Sequence, residues 1–148
     1  MSKSESTIMK EIMLAVSLAN HKIFRVNVGE GYLFRQKPTV KTLDLESQRA
    51  RWFKTGVPQG YSDLAGVAYP SGKAVFIECK TPTGKPTIQQ CAFLLAMLAA
   101  GANAGIAHNA EEALAICEMT ENYRLYMGGY INDWLTKLRQ HDKRPVRR

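Results

Sequence analysis

Acidic residues are scarce in this chain. Asp and Glu number 13 against 20 Lys and Arg, which leaves a formal net charge of +7 at pH 7. The resulting pI near 9.5 disfavours basic partners and favours a polyanion such as nucleic acid. Cysteine is scarce too: Cys79, Cys91 and Cys117 are odd in number, far apart and set in apolar stretches. That usage excludes a disulfide framework and reads as small core residues in a reducing cytosol. Histidine is equally sparse, and His21, His108 and His141 have no Cys/His spacing that suggests zinc. Long hydrophobic runs are missing, and the opening MSKSESTIMKE has no signal-peptide core. The expectation is a cytoplasmic protein with no membrane partner. No internal repeat or second domain is visible, and 148 residues at 45% hydrophobic composition suffice for one domain with a sizeable core.

What is present centres on YSDLAGVAYPSGKAVFIECK, residues 61–80. The pattern predicts an antiparallel hairpin with strands over 62–69 and 73–80 and a Pro70-Ser71-Gly72 turn. Side chains alternate along a strand, so Glu78 and Lys80 share one face and Ile77 and Cys79 the other. Pairing brings Asp63 beside Glu78 at the open end of the hairpin. Two adjacent carboxylates repel each other and resist burial unless a cation lies between them, and Mg²⁺ suits such hard oxygen ligands. The same residues also fit an ordinary surface hairpin with a cross-strand Glu–Lys pair.

Upstream, Ser4 is a candidate N-cap for a helix to about Asn20, with Ile8, Met9, Ile12, Val16 and Ala19 as its apolar stripe. Glu5 falls at the centre of that stripe and Glu11 at its edge. An acid on the core side needs a partner, although Glu5 also suits the helix dipole in a first turn. A strand follows over 21–28, with Ile23, Arg25 and Asn27 on one face. Arg25 and Asn27 are either phosphate contacts or that strand's solvated side. Residues 35–54 form the least regular stretch, in which Arg35, Lys37, Lys41, Arg49, Arg51 and Lys54 surround Trp52 and Phe53. The mix fits a surface that tracks a nucleic-acid backbone, and fits a dimer contact nearly as well. Downstream, Thr87 caps a helix over 88–100 that is apolar on nearly every side and expected to be mostly buried. A buried strand over 104–108, parallel to the Lys80 strand, precedes a helix capped by Asn109. A short amphipathic helix over 131–138 and the basic tail HDKRPVRR end the chain.

The D-x(14)-E-x-K arrangement of Asp63, Glu78 and Lys80 resembles the core of the PD-(D/E)XK nucleases. The strings GVPQGYSDLAG and IECKTPTGKPTIQQ, with RVNVG at 25–29, look more particularly like the virus-type replication-repair nuclease domain (VRR-NUC) in its stand-alone phage or bacterial form. The resemblance runs from about Glu5 to Glu112 and fades past Thr120. The patterns along the chain outline α-β-β-β-α-β-α, a mixed β-sheet flanked by helices, and the resemblance implies that this α/β fold is of the restriction-endonuclease type. Residues 1–120 would be the nuclease domain, with the C-terminal helix and tail of 121–148 part of the same unit.

The activity implied is a divalent-metal-dependent DNA endonuclease that leaves a 5′-phosphate and a 3′-hydroxyl. Asp63, Glu78 and the backbone carbonyl of Cys79 would hold Mg²⁺ or Mn²⁺, with Glu5 (Glu11 as the alternative) joining the metal site. Lys80 would position the attacking water, aided by Gln90, with Gln89 as the alternative. Arg25, Asn27, Arg49, Arg51, Lys54 and Lys85 are the DNA-binding candidates. Freestanding members resemble Holliday-junction resolvases, which implies a four-way junction as substrate, a homodimer with two active sites, and a bacterial or phage-infected host cell. The alternatives are a flap or nicking nuclease, a restriction-type enzyme without a visible recognition domain, a non-catalytic DNA-binding protein, and a basic protein-interaction module.

Overall fold

A computed structural model describes residues 2–33 and 51–143 of the chain. Helix α1 spans Glu5–Leu18 and starts where Ser4 accepts a hydrogen bond from the Thr7 amide. Ile8, Ile12 and Val16, one turn apart, are its buried face. Asn20, in the left-handed region at φ 66°, reverses the chain into strand β1, Lys22–Arg25. This strand is shorter than expected. Its last register pair is Arg25 with Leu64, followed by a single bond from the Val26 amide to the Asp63 carbonyl, and at its start His21 is buried, its Nδ1 accepting the Tyr69 amide at 2.9 Å.

Strands β2 (Glu30–Leu33) and β3 (Arg51–Lys54) pair antiparallel as a separate two-stranded sheet. Arg51–Lys54 was expected to be irregular. Pairing supplies the backbone partners that the side-chain pattern does not advertise, since all four residues are exposed. The remaining basic residues of that stretch, Arg35, Lys37, Lys41 and Arg49, lie outside the described residues, as does the tail from 144.

The expected hairpin is present as β4 (Leu64–Val67) and β5 (Ala74–Cys79), with Leu64 opposite Ile77 and Val67 opposite Ala74. Helix α2 (Ile88–Ala99) leads to β6 (Asn103–Ala107), which pairs parallel to β5 and is buried at every position. Helices α3 (Ala110–Cys117) and α4 (Glu121–Asp142) complete the chain. The principal sheet has the order β1-β4-β5-β6, with β6 its one parallel partner, and helices flank it: α1 packs on α3, and α2 on α4. The fold is therefore mixed α/β, as expected at that level.

Two helices differ from expectation. Only Cys91 and Leu94 of α2 are buried, so its nearly continuous apolar sequence contacts α4 and the sheet on one side and is part-exposed elsewhere. The last helix runs for 22 residues rather than the eight or so of 131–138. Gly128 and Gly129 lower its intrinsic helicity, but Met127, Ile131 and Leu135 are buried at one-turn spacing and tertiary packing prevails. Arg124 fixes this helix to the end of α2, donating to the carbonyls of Leu98 and Ala102 and to Asn103 Oδ1. Leu98 lies in the last turn of α2 and Ala102 in the turn after it, so Arg124 satisfies carbonyls at the helix C-terminus.

A candidate metal-dependent active site at one rim of the sheet

The hairpin places its polar groups together. Asp63 immediately precedes β4, and its Oδ2 accepts the backbone N–H of Cys79 at 3.0 Å. Its own carbonyl accepts the Val26 amide at 2.8 Å, so one residue ties the ends of β1 and β5. The fully buried Ser62 hydroxyl donates to the Leu64 carbonyl at 2.8 Å and fixes the entry to the strand.

Glu78 is 1% exposed. Its Oε1 accepts from Gln90 Nε2 at 2.6 Å and lies 3.6 Å from Lys80 Nζ. Burial first, and then the charge of Asp63, push the Glu78 carboxyl from about 4.5 up to about 8, with Lys80 opposing. Behind it, Phe76 packs edge-on against Phe93 of α2, and Tyr61 lies against both rings.

Gln90 is placed by its helix. Its Oε1 accepts the Thr87 amide and its own amide donates to Thr87 Oγ1, a capping box that leaves Nε2 aimed at Glu78. Gln89 is exposed, and its backbone abuts Gly60. Between Gln89 and Gln90, it is therefore Gln90 that joins the carboxylates. Gly60 has φ +86°, and a Cβ there would strike the Gln89 carbonyl, so the 56–60 loop lies directly on the start of α2.

Lys80 has a second acid partner: Glu5 Oε2, in the first turn of α1, lies 3.8 Å from its ammonium. Glu11 instead pairs with Lys3 at 2.9 Å, away from this cluster. The structure thus brings Glu5, Asp63, Glu78, Lys80 and Gln90 into one neighbourhood from four separate segments.

Arg25 and Asn27 line an open cavity of about 400 Å³ together with Gln59, Gly60, Asp63 and Gln90. An adjoining hollow shares Val28 and Gln59 with it and includes Lys54. Arg51 is exposed on β3 and Lys85 is exposed in the connection between β5 and α2, so neither is seated in the carboxylate cluster. Arg49 lies outside the described residues.

The donor set suits a hard divalent cation. Two carboxylates of which one is fully buried, held beside a backbone strand end, form a partial oxygen shell of the kind that Mg²⁺ completes with water and phosphate. The upward push on Glu78 is the electrostatic deficit that such a cation would relieve. Among the described residues no three His, Cys, Asp or Glu side chains converge as a self-sufficient metal cage. Thiol chemistry fits poorly: burial pushes the Cys79, Cys91 and Cys117 thiols up, the last to about 12.

Compared with protein-family models, curated proteins and solved structures, the chain matches none.

Proposed function

We propose that the protein is a divalent-metal-dependent DNA endonuclease that hydrolyses phosphodiester bonds at the rim formed by Asp63, Glu78 and Lys80. The observation that carries this reading is the convergence on the buried Glu78 carboxylate of one acid, one ammonium and one amide, at the open end of a hairpin beside a cavity lined by Arg25. Asp63, Glu78 and the Cys79 carbonyl are the proposed metal ligands. A bound Mg²⁺ or Mn²⁺ would lower the pKa of water and offset charge on the phosphate oxygens.

The residues of the chain do the rest. Gln90 holds Glu78 in one rotamer, and Glu5 holds Lys80 in reach of the same oxygen. Lys80 then donates to the water that attacks phosphorus, and its charge stabilises the pentacoordinate oxyanion. One P–O bond forms to the water oxygen while the P–O bond to the 3′-oxygen breaks. The water's protons pass to solvent and to the leaving oxygen. Arg25 and Asn27 contact the phosphates that flank the cut.

A four-way junction cut by a homodimer is the proposed natural substrate, by resemblance. The test is incubation of the purified protein with labelled junction, linear duplex and 5′-flap DNA in Mg²⁺, Mn²⁺ or EDTA, alongside Lys80→Ala. Symmetric, metal-dependent nicks in the junction, lost in the variant, are expected. Cleavage of flap or duplex alone would retain the nuclease and remove the junction, and binding without cleavage in any metal would leave a DNA-binding module.

A further inference from the structure

The sheet order sets the site residues in a row. The C-terminal end of β1, the N-terminal end of β4 and the C-terminal ends of β5 and β6 share one rim, because β4 alone runs opposite to the other three strands. Along that rim stand Arg25, then Asp63, then Glu78 with Lys80. The fourth position, on β6, belongs to His108. Cys79 is in register with Ala107, and the Lys80 amide donates to the Ala107 carbonyl at 3.1 Å, so His108 is the next residue beside Lys80.

His108 is built as a held imidazole. Glu112 Oε2 accepts from its backbone N–H and from Nδ1, both at 2.8 Å. Glu112 is itself anchored, its amide donating to Asn109 Oδ1 at 2.8 Å, and Tyr130 of α4 meets the ring edge-on. With Nδ1 committed to Glu112, the other ring nitrogen has no protein hydrogen-bond partner among the described residues. A carboxylate that fixes one imidazole nitrogen presents the other to a ligand. Neighbouring strands are about 4.8 Å apart, so four strand ends span roughly 14 Å, a length that takes in more than one phosphate of a nucleic-acid strand.

We propose that His108, held by Glu112, contacts the phosphodiester that flanks the cut on the β6 side, so that the rim from Arg25 to His108 is the track of the cleaved strand. Because Nδ1–H is given to Glu112, the ring makes this contact as the imidazolium, with Nε2–H the donor and a non-bridging phosphate oxygen the acceptor. Glu112 is a positioning residue. The inference rests on the nuclease reading and adds to it the direction in which the strand crosses the site.

The test compares wild type, His108→Ala, His108→Gln and Glu112→Ala. Steady-state cleavage and metal-free binding of a short duplex by fluorescence anisotropy are measured, with thermal melts as the folding control. His108→Ala should raise KM and the metal-free Kd by about tenfold or more, the fold-change of one hydrogen bond to a charged group, with kcat within about twofold. His108→Gln, which restores an N–H donor, should recover most of the loss at an unchanged melt. Glu112→Ala should follow His108→Ala in KM. If wild type cleaves and His108→Ala matches it in KM and Kd, the track is wrong and the nuclease stands. A wild type that cleaves no DNA in any divalent metal removes both.

Discussion

Asp63 and Cys79, 16 positions apart in sequence, are joined by a 3.0 Å hydrogen bond from the Cys79 amide to Asp63 Oδ2. That bond lies between the two residues of the E-x-K run that carry charge, and it fixes the distance between the hairpin's two carboxylates. The other Asp63 carboxylate oxygen is free of this contact, and the residue lines the cavity it shares with Arg25.

Glu78→Gln should lower metal-dependent cleavage by roughly 10²- to 10⁴-fold, with DNA affinity within about threefold of wild type. The amide keeps the volume and can still meet Gln90, but it cannot carry the ligand charge. Single-turnover cleavage and anisotropy separate the two effects.

Stability of the metal-free protein should depend on pH through Glu78. Its carboxyl, ordinarily near 4.5, is pushed up to about 8, so the folded chain keeps a proton that the unfolded chain has released between those values. Stability is therefore full below about 4.5, falls by on the order of a few kcal/mol as pH rises, and levels off above about 8. Glu78→Gln should remove this slope. Mg²⁺ competes with the proton, so its stabilising effect should be greater at pH 8 than at pH 5. Urea melts across that range, with and without metal, check all three.

Lys80→Ala should cost about 10²- to 10³-fold in kcat, the usual loss for one donor to a developing oxyanion. Glu5→Gln should cost less, since Glu5 reaches the site through Lys80 at 3.8 Å. Comparable losses from the two substitutions would place Glu5 in direct contact with the metal or the water instead.

Gln90→Ala and Gln89→Ala should differ. The first removes both a capping interaction and the 2.6 Å contact to Glu78, and should lower stability by about 1 kcal/mol and kcat by at least about tenfold. The second touches an exposed side chain and should leave both within about twofold.

Gly60→Ala should destabilise the protein by about 2 kcal/mol or more, because the backbone is at φ +86° and the new methyl meets the Gln89 carbonyl. A melt of this variant beside Gly72→Ala, where the added Cβ meets nothing, separates the contact from the conformational strain.

Much of the site neighbourhood was legible because it is local. The alternation around Glu78, the Pro70-Ser71-Gly72 turn and the caps at Ser4, Thr87 and Asn109 are short-range signals, and each appears in the structure. The choice between Gln89 and Gln90 was also available: T-x-x-Q at 87–90 is a capping-box spacing that fixes the side chain at its fourth position. What was not legible depended on partners distant in sequence. Pairing of β2 with β3 crosses a stretch with no clear period, and α4 extends through two glycines because its buried stripe packs on α2 and β6. His108 gave no signal as a lone histidine after an apolar strand; only the register of β6 sets it beside Lys80.

The parallel pairing of β5 with β6 has a consequence for how the chain is made. The β4–β5 hairpin is local and can form early, but β5 becomes an interior strand only when residues 103–107 join it across α2. Contacts of that sequence separation close late and slowly. A chain emerging in order from the ribosome therefore has Asp63, Glu78 and Lys80 exposed well before β6 has emerged to cover β5. Assembly of the charged rim is coupled to completion of the sheet, and the dry, high-pKa environment of Glu78 is among the last features to appear.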